Sequence, residues 1–277
     1  MAATAQPNRT GAYGPPRAAA PVPIRRIGPG DLRAALREGY GDFLEKRGDL
    51  VFIGFVYPLV GIVTAVAALG NSILPLFFPL VAGLSLLGPV VSSGFYELAR
   101  RREAGLESSW WHFFDVFRNP SGTQIALVSG LLFVIFLAWI VAAALLYRLF
   151  LGEAPPESIG GFLTTLFTTP EGWGMMIVGD LVGLVFALLV LALGLVSLPM
   201  LVDRPVDPGV AIATSIRAVR ANPGVTLRWG VTVVVLLLLG SIPFFLGLAV
   251  VLPVLGYATW HLYTRLVDRS ALPPRPA

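Results

Sequence analysis

Residues 195–225 read LVSLPMLVDRPVDPGVAIATSIRAVRANPGV, and this stretch sets the pattern for the rest of the chain. It closes an apolar run at Val202 and leaves it on Asp203-Arg204. Asp207-Pro208 then supplies an N-cap and a first-turn proline for a short amphipathic helix. Asn222-Pro223-Gly224 turns that helix into the next apolar run. The whole is a joint between two membrane hairpins, and looser copies of its second half occur twice upstream.

Composition agrees with that reading. Of 277 residues, 56% are hydrophobic and only 13% charged, too few charges for a soluble domain of this size. The apolar residues gather in runs of about twenty, the length that crosses a ~30 Å hydrocarbon core at ~1.5 Å per residue. The runs do not alternate in polarity, which excludes a membrane β-barrel. With no cysteine, disulfides, thiol catalysis and Cys-ligated metals are excluded as well.

The predicted fold is an all-α membrane protein with six transmembrane helices arranged as three hairpins. Each hairpin follows an amphipathic interfacial helix, and both termini are on the cytoplasmic side (N-in, C-in). The spans fall at about 50–69, 73–99, 124–147, 174–201, 225–239 and 244–266. Residues 1–29 form a disordered cytoplasmic tail, 30–266 the membrane domain and 267–277 a second cytoplasmic tail. Asp31 is the expected cap of the first interfacial helix, with Leu32, Leu36, Tyr40, Phe43 and Leu44 on its apolar face. The second such helix is WWHFFDVFR (110–118), whose aromatic rings suit a headgroup boundary. Ser158 caps a short helix on the far side, ahead of Pro170.

Charge sets the orientation. Nineteen of the twenty Lys and Arg residues fall on one side of the six spans, leaving only Arg148 on the other. Such an asymmetry places that side in the cytoplasm. It also accounts for the basic balance without a nucleic-acid partner.

An internal repeat runs through the chain. The turns into the hairpins are KRGDL (46–50), RNPSG (118–122) and ANPGV (221–225). The second and sixth spans align without gaps: GLSLLGPVVSSGFYELARR (83–101) against GLAVVLPVLGYATWHLYTR (247–265). Pro89 then meets Pro253, Leu98 meets Leu262 and Glu97 stands opposite His261. The fourth span shares a proline, Pro199, and the charged exit.

Four segments carry a family resemblance: PLVAGLSLLGPVVSSGFYE (79–97), TTPEGW (168–173), SLPMLVDRPVD (197–207) and LPVLGYATWHLY (252–263). With them the chain, from about Ile24 to Leu266, resembles a bacterial family of predicted integral membrane proteins of unknown function. Some members carry a cytochrome c oxidase subunit label. The resemblance implies the bacterial inner membrane and no assigned active residues. The two histidines, one of them in a loop, are too few for a catalytic haem–copper subunit, so an accessory role is what remains of that label.

Three polar residues stand out. Asp180 is the one acid well inside a predicted span, where ionisable groups often mark ion or proton paths. Its plainer reading is a shallow acid, hydrated or bonded to an adjacent helix, beside Gly179, Gly183 and Ala187, whose four-residue spacing lets helices approach closely. Glu97 and His261, near the cytoplasmic ends of repeat-related spans, could form a titrating pair, or could each bond locally. Asp203-Arg204 reads as a local pair. No metal site, cofactor site or nucleotide-binding or hydrolase motif occurs in a usable context. The expected function is a non-catalytic accessory, assembly or scaffolding component of a membrane complex. The alternative is a small transporter or channel for an apolar or lipid-like solute. An intramembrane enzyme ranks below both.

Overall fold

A computed structural model describes residues 21–54, 59, 79–80, 86, 88–154, 156, 158–243 and 245–275. The described residues are largely helical and contain no strand; the one β-bridge joins Ile24 to Val267. The expected first span beyond residue 54, and the expected second span before residue 88, lie almost wholly outside the described residues. So does the expected tail at 1–20.

The helices are α1 (Pro29–Gly54), α2 (Gly88–Glu103), α3 (Gly122–Leu151), α4 (Ile159–Thr168), α5 (Pro170–Asp203), α6 (Pro208–Ala221), α7 (Pro223–Ser241) and α8 (Leu248–Leu266). A 3₁₀ helix, Trp110–Arg118, lies between α2 and α3. Among the described residues three helices, α3, α5 and α7, are long and apolar enough to cross a membrane. They cover the predicted third, fourth and fifth spans. Helix α8 covers most of the predicted sixth, and it carries Pro253 inside and His261 and Arg265 near its end.

Local chemistry explains most boundaries. Asp207 accepts from Gly209 N–H (2.7 Å) and Val210 N–H (3.3 Å), capping α6 as the Asp-Pro pair predicts. Ser158 accepts from Gly161 N–H (3.0 Å) and caps α4. Asp31 differs from expectation. Helix α1 starts two residues earlier, and the Asp31 carboxylate reaches back to Gly28 N–H (2.8 Å) from inside the first turn.

The expected turn at 46–50 is absent, and α1 runs through it unbroken. That stretch holds one glycine and no proline, and a glycine costs a helix only about 1 kcal/mol. Pro120 and Pro223, by contrast, remove an N–H and push the preceding asparagine out of helical geometry.

The core is a ring with threefold character. The closing helices α2, α5 and α8 all touch one another. The 3₁₀ helix packs on α2, α6 packs on α5, and α1 closes the circle against α8. Each element therefore covers the closing helix of the unit before it.

Sequence register follows the same logic. A small residue, a leucine four positions on and an arginine three beyond occur as Gly94/Leu98/Arg101, Ser197/Leu201/Arg204 and Ala258/Leu262/Arg265. All three leucines are fully buried. At the small positions the covering element comes closest. A Cβ on Gly94 would lie 2.4 Å from the Phe113 ring, and one on Gly39 would lie 2.5 Å from the Ala258 backbone nitrogen. Beside Ser197, Val196 N–H donates to Ser215 Oγ of α6 (3.1 Å). Pro89 and Pro253 share this register and Pro199 does not, so aligning on the prolines hides the third copy.

The interfacial helices are accordingly tied to the protein. Leu32, Ala35 and Phe43 of α1 are buried against the core, while Tyr40 and Leu44, expected on the same face, are exposed. The terminal segments are pinned too. Residues 23–25 pair with 266–268 through Arg25 N–H to Leu266 O (2.8 Å) and Asp268 N–H to Pro23 O (3.1 Å), and Val22 is buried. The disordered-tail expectation for 1–29 thus fails over 21–29. The pattern there, Val22, Ile24 and Ile27 between prolines, is apolar enough to dock.

Candidate functional site

The polar chemistry gathers where α2, α5 and α8 end. At the end of α8, His261 meets two carboxylates of α1: Nε2 lies 2.7 Å from Asp42 Oδ2 and Nδ1 lies 3.3 Å from Glu38 Oε2. Helical spacing of four residues puts both acids on the α1 face that crosses α8. Arg265 adds a 2.6 Å contact to Glu38. Arg102, from α2, holds Asp42 at 3.5 Å and also pairs with Glu45. Three helices are cross-tied here.

A second cluster surrounds Asp203, the last residue of α5. Its side chain is fully buried, a costly place for a carboxylate without partners. It has several. Tyr263 Oη donates to Oδ2 (2.9 Å), and Arg275 donates from Nε to Oδ1 (2.8 Å) with Nη2 at 2.7 Å. Arg204 and Arg269 stand at 3.5 and 3.7 Å. Arg269 reaches on to Glu103 (2.8 Å), which also accepts from Trp260 Nε1 (3.2 Å). The C-terminal segment, a short polar stretch in sequence, is thereby bound over the helix ends.

Between the clusters lies a cavity of about 250 Å³. Asp42, Arg102, Glu103, Trp260, His261, Thr264, Arg269 and Ala99 line it. Its charges are mixed and already bonded to each other. Among the described residues no group of His, Asp and Glu side chains is arranged to hold a metal ion.

The residues singled out from sequence fall as follows. Glu97 is buried and clamped bidentate by Arg100, at 2.5 and 2.8 Å, and this contact strengthens the hold of the Arg100 guanidinium on its proton. His261 pairs with Asp42 and Glu38. The two do not form a pair with each other. Asp180 is exposed on α5 and has no hydrogen-bond or ion-pair partner among the described residues; Ile177, Leu181 and Leu184 around it are also exposed. The apolar run from Leu181 to Val202 is roughly 22 residues, about 33 Å long, a hydrocarbon thickness. Asp180 and Asp203 therefore flank that run at its two edges.

Of the small residues, Gly183 faces the Trp139 ring (3.2 Å from its Cβ position), whereas nothing lies within 4 Å of Gly179. Ala187 is half-buried. The groups that sequence reasoning passed over are Glu38, Asp42 and Glu103. They carried a weak signal: acids on the otherwise basic flank of the chain.

Outside the helices, the Asp268 carboxyl is held below the ordinary carboxylate range, first by the Ser270 hydroxyl and then by Ser270 N–H, with Arg25 adding to both.

Two asparagines complete the site's frame. Asn222 Nδ2 donates to Arg25 O (3.1 Å) and Ala218 O (3.1 Å), and its Oδ1 accepts from Ile27 N–H (2.9 Å). Asn119 Nδ2 donates to Val202 O (3.1 Å), and its Oδ1 accepts from Ser121 N–H (2.8 Å). Asn222 precedes Pro223, the first residue of α7, and Asn119 precedes Pro120 in the turn ahead of α3; each ties the start of a long apolar helix to a distant backbone.

Residues 77–203 match a family described as predicted integral membrane protein (DUF2189). The family has no assigned function. The match covers α2, the 3₁₀ helix, α3, α4 and α5, and so two of the three closing helices. It brings no cytochrome oxidase assignment to this chain. No curated protein and no solved structure matches it.

Proposed function

We propose that the protein is a non-catalytic accessory, assembly or scaffolding component of the bacterial inner membrane. In this reading six spans cross the bilayer and both termini are cytoplasmic. One observation supports it above the others: the titratable groups at the ends of α2, α5 and α8 are engaged with one another across different elements. Glu38, Asp42, Glu103 and Asp203 each hold an arginine or His261 from another helix or from the C-terminal segment. Such groups lock helix ends into a platform and are poorly free to exchange protons with a substrate. Long rows of exposed apolar side chains on α3 and α7 leave surface for lipid or partner helices.

A second reading, transport of an apolar or lipid-like solute, draws on one feature. The closing helices meet at the centre of the ring, and each contains a proline (Pro89, Pro199 and Pro253) of the kind found in discontinuous transporter helices. Purification of the tagged protein from its native membrane in mild detergent, with mass spectrometry of what accompanies it, separates the two. A stoichiometric partner complex is expected. A partner-free protein whose Asp180→Ala variant folds but loses solute flux would favour transport.

A further inference from the structure

The 3₁₀ helix Trp110–Arg118 repeats every three residues, so side chains at i, i+3 and i+6 eclipse into straight ridges. Nine residues give three of them. Trp110, Phe113 and Val116 form the inner ridge: Phe113 seats on Gly94 and meets Phe95 edge-on (5.0 Å between centroids), and Val116 is buried. His112, Asp115 and Arg118 form a polar ridge. The third, Trp111, Phe114 and Phe117, is exposed at 65%, 48% and 79%. An α-helix would fan these three rings over about 120° of its surface; the 3₁₀ form lines them up.

We infer that the ridge Trp111–Phe114–Phe117 inserts into the headgroup–acyl boundary of the phospholipid bilayer, with Arg118 on the phosphate layer. Two observations name the occupant. The ridge is continuous with membrane surface, since α3 begins four residues after Arg118 and shows exposed Leu127, Leu131 and Val134. Charge is complementary too. Asp115 is neutralised by Arg101 (3.3 Å), while Arg118 is exposed and has no partner among the described residues. Aromatic rings beside a free guanidinium match the composition of a bilayer interface. The inference rests on the membrane location and is independent of the accessory role.

The absence of native cysteine allows a direct test, because any introduced cysteine is a unique label. Trp111→Cys, Phe114→Cys, Phe117→Cys and His112→Cys are spin-labelled in the full chain. Each is then reconstituted in phosphatidylethanolamine–phosphatidylglycerol bilayers. Labels at 111, 114 and 117 are expected to collide several-fold more with oxygen than with a water-soluble nickel chelate, and the label at 112 to show the reverse. Chelate-dominated collisions at all four positions would overturn the inference in favour of a solvated ridge. Low collision with both probes at 114 and 117 would overturn it in favour of a covering protein. Trp111→Phe supplies a check without labelling: the fluorescence it removes is expected to be quenched by brominated lipids, and removal of an unquenched component counts against insertion.

Discussion

Gly39 and Gly179 look alike in sequence, and the structure gives them opposite roles. Gly39 lets the α1 backbone reach α8, and an added Cβ would strike main-chain atoms that cannot swing aside. Gly39→Ala is therefore expected to destabilise the protein by about 1–3 kcal/mol. Gly179→Ala meets open space and should be neutral or stabilising by up to about 1 kcal/mol through helix propensity. Unfolding in mixed micelles measures both, and equal effects would remove the α1–α8 close approach as a determinant of the fold. Asp203 poses the electrostatic version of the question. Asp203→Ala leaves the buried Tyr263 hydroxyl without its acceptor and the partly exposed Arg275 with Glu103 alone, and is expected to cost about 2–4 kcal/mol. Tyr263→Phe removes one hydrogen bond to a charged group and should cost about 1.5–3 kcal/mol.

At the scale of elements, the asparagine–proline turns carry the connection between units. Asn222→Ala deletes the contacts to Arg25 and Ile27, leaving residues 21–27 held by the pairing with 266–268 and by Arg25–Asp268 (3.1 Å). Trypsin should cut after Arg25 or Arg26 roughly tenfold faster in that variant, as loss of about 1.4 kcal/mol of local protection implies. An unchanged cutting rate would show that Asn222 does not hold the segment. The same contact has a pH sign. Because the Asp268 carboxyl is lowered on folding, its contribution is complete above the ordinary carboxylate range and is lost as pH falls through the lowered value. The hydrogen-exchange protection factor at the Arg25 amide, corrected for the intrinsic rate at each pH, should fall only in that acid window.

These turns also show what a sequence discloses at this scale. Asp207-Pro208, Ser158 and the two Asn-Pro pairs announce helix limits because each acts through its own backbone within a turn. The unbroken α1 was not legible, since a lone glycine neither starts nor stops a helix by itself. Nor was the His261–Asp42–Glu38 cluster, whose histidine lies 219 residues beyond Asp42 and meets the two acids only because α1 closes the ring on α8.

For the whole molecule, the ring and the charge count bear on the same issue, which is how many times the chain crosses the bilayer. The closing helices α2, α5 and α8 end together in one shared polar network, so their ends lie on one side of whatever layer the protein occupies. Arg148, in the last turn of α3, and Glu153, in the connection to α4, lie away from that network, at the far end of a 30-residue helix about 45 Å long. Six spans make the two sets of groups face opposite compartments. Single cysteines test this in intact cells with a membrane-impermeant maleimide. Arg26→Cys, Glu107→Cys and Val210→Cys are expected to react only after permeabilisation, and Glu153→Cys without it. Glu107 and Glu153 reacting from one side would mean that α3 does not span. Arg26 and Glu107 reacting from opposite sides would mean that the chain between α1 and α2 crosses an odd number of times, which would break the equivalence of the three units. The ring predicts neither, because it holds α1 against the end of α8 and beside the end of α2, which calls for an even number of crossings between them.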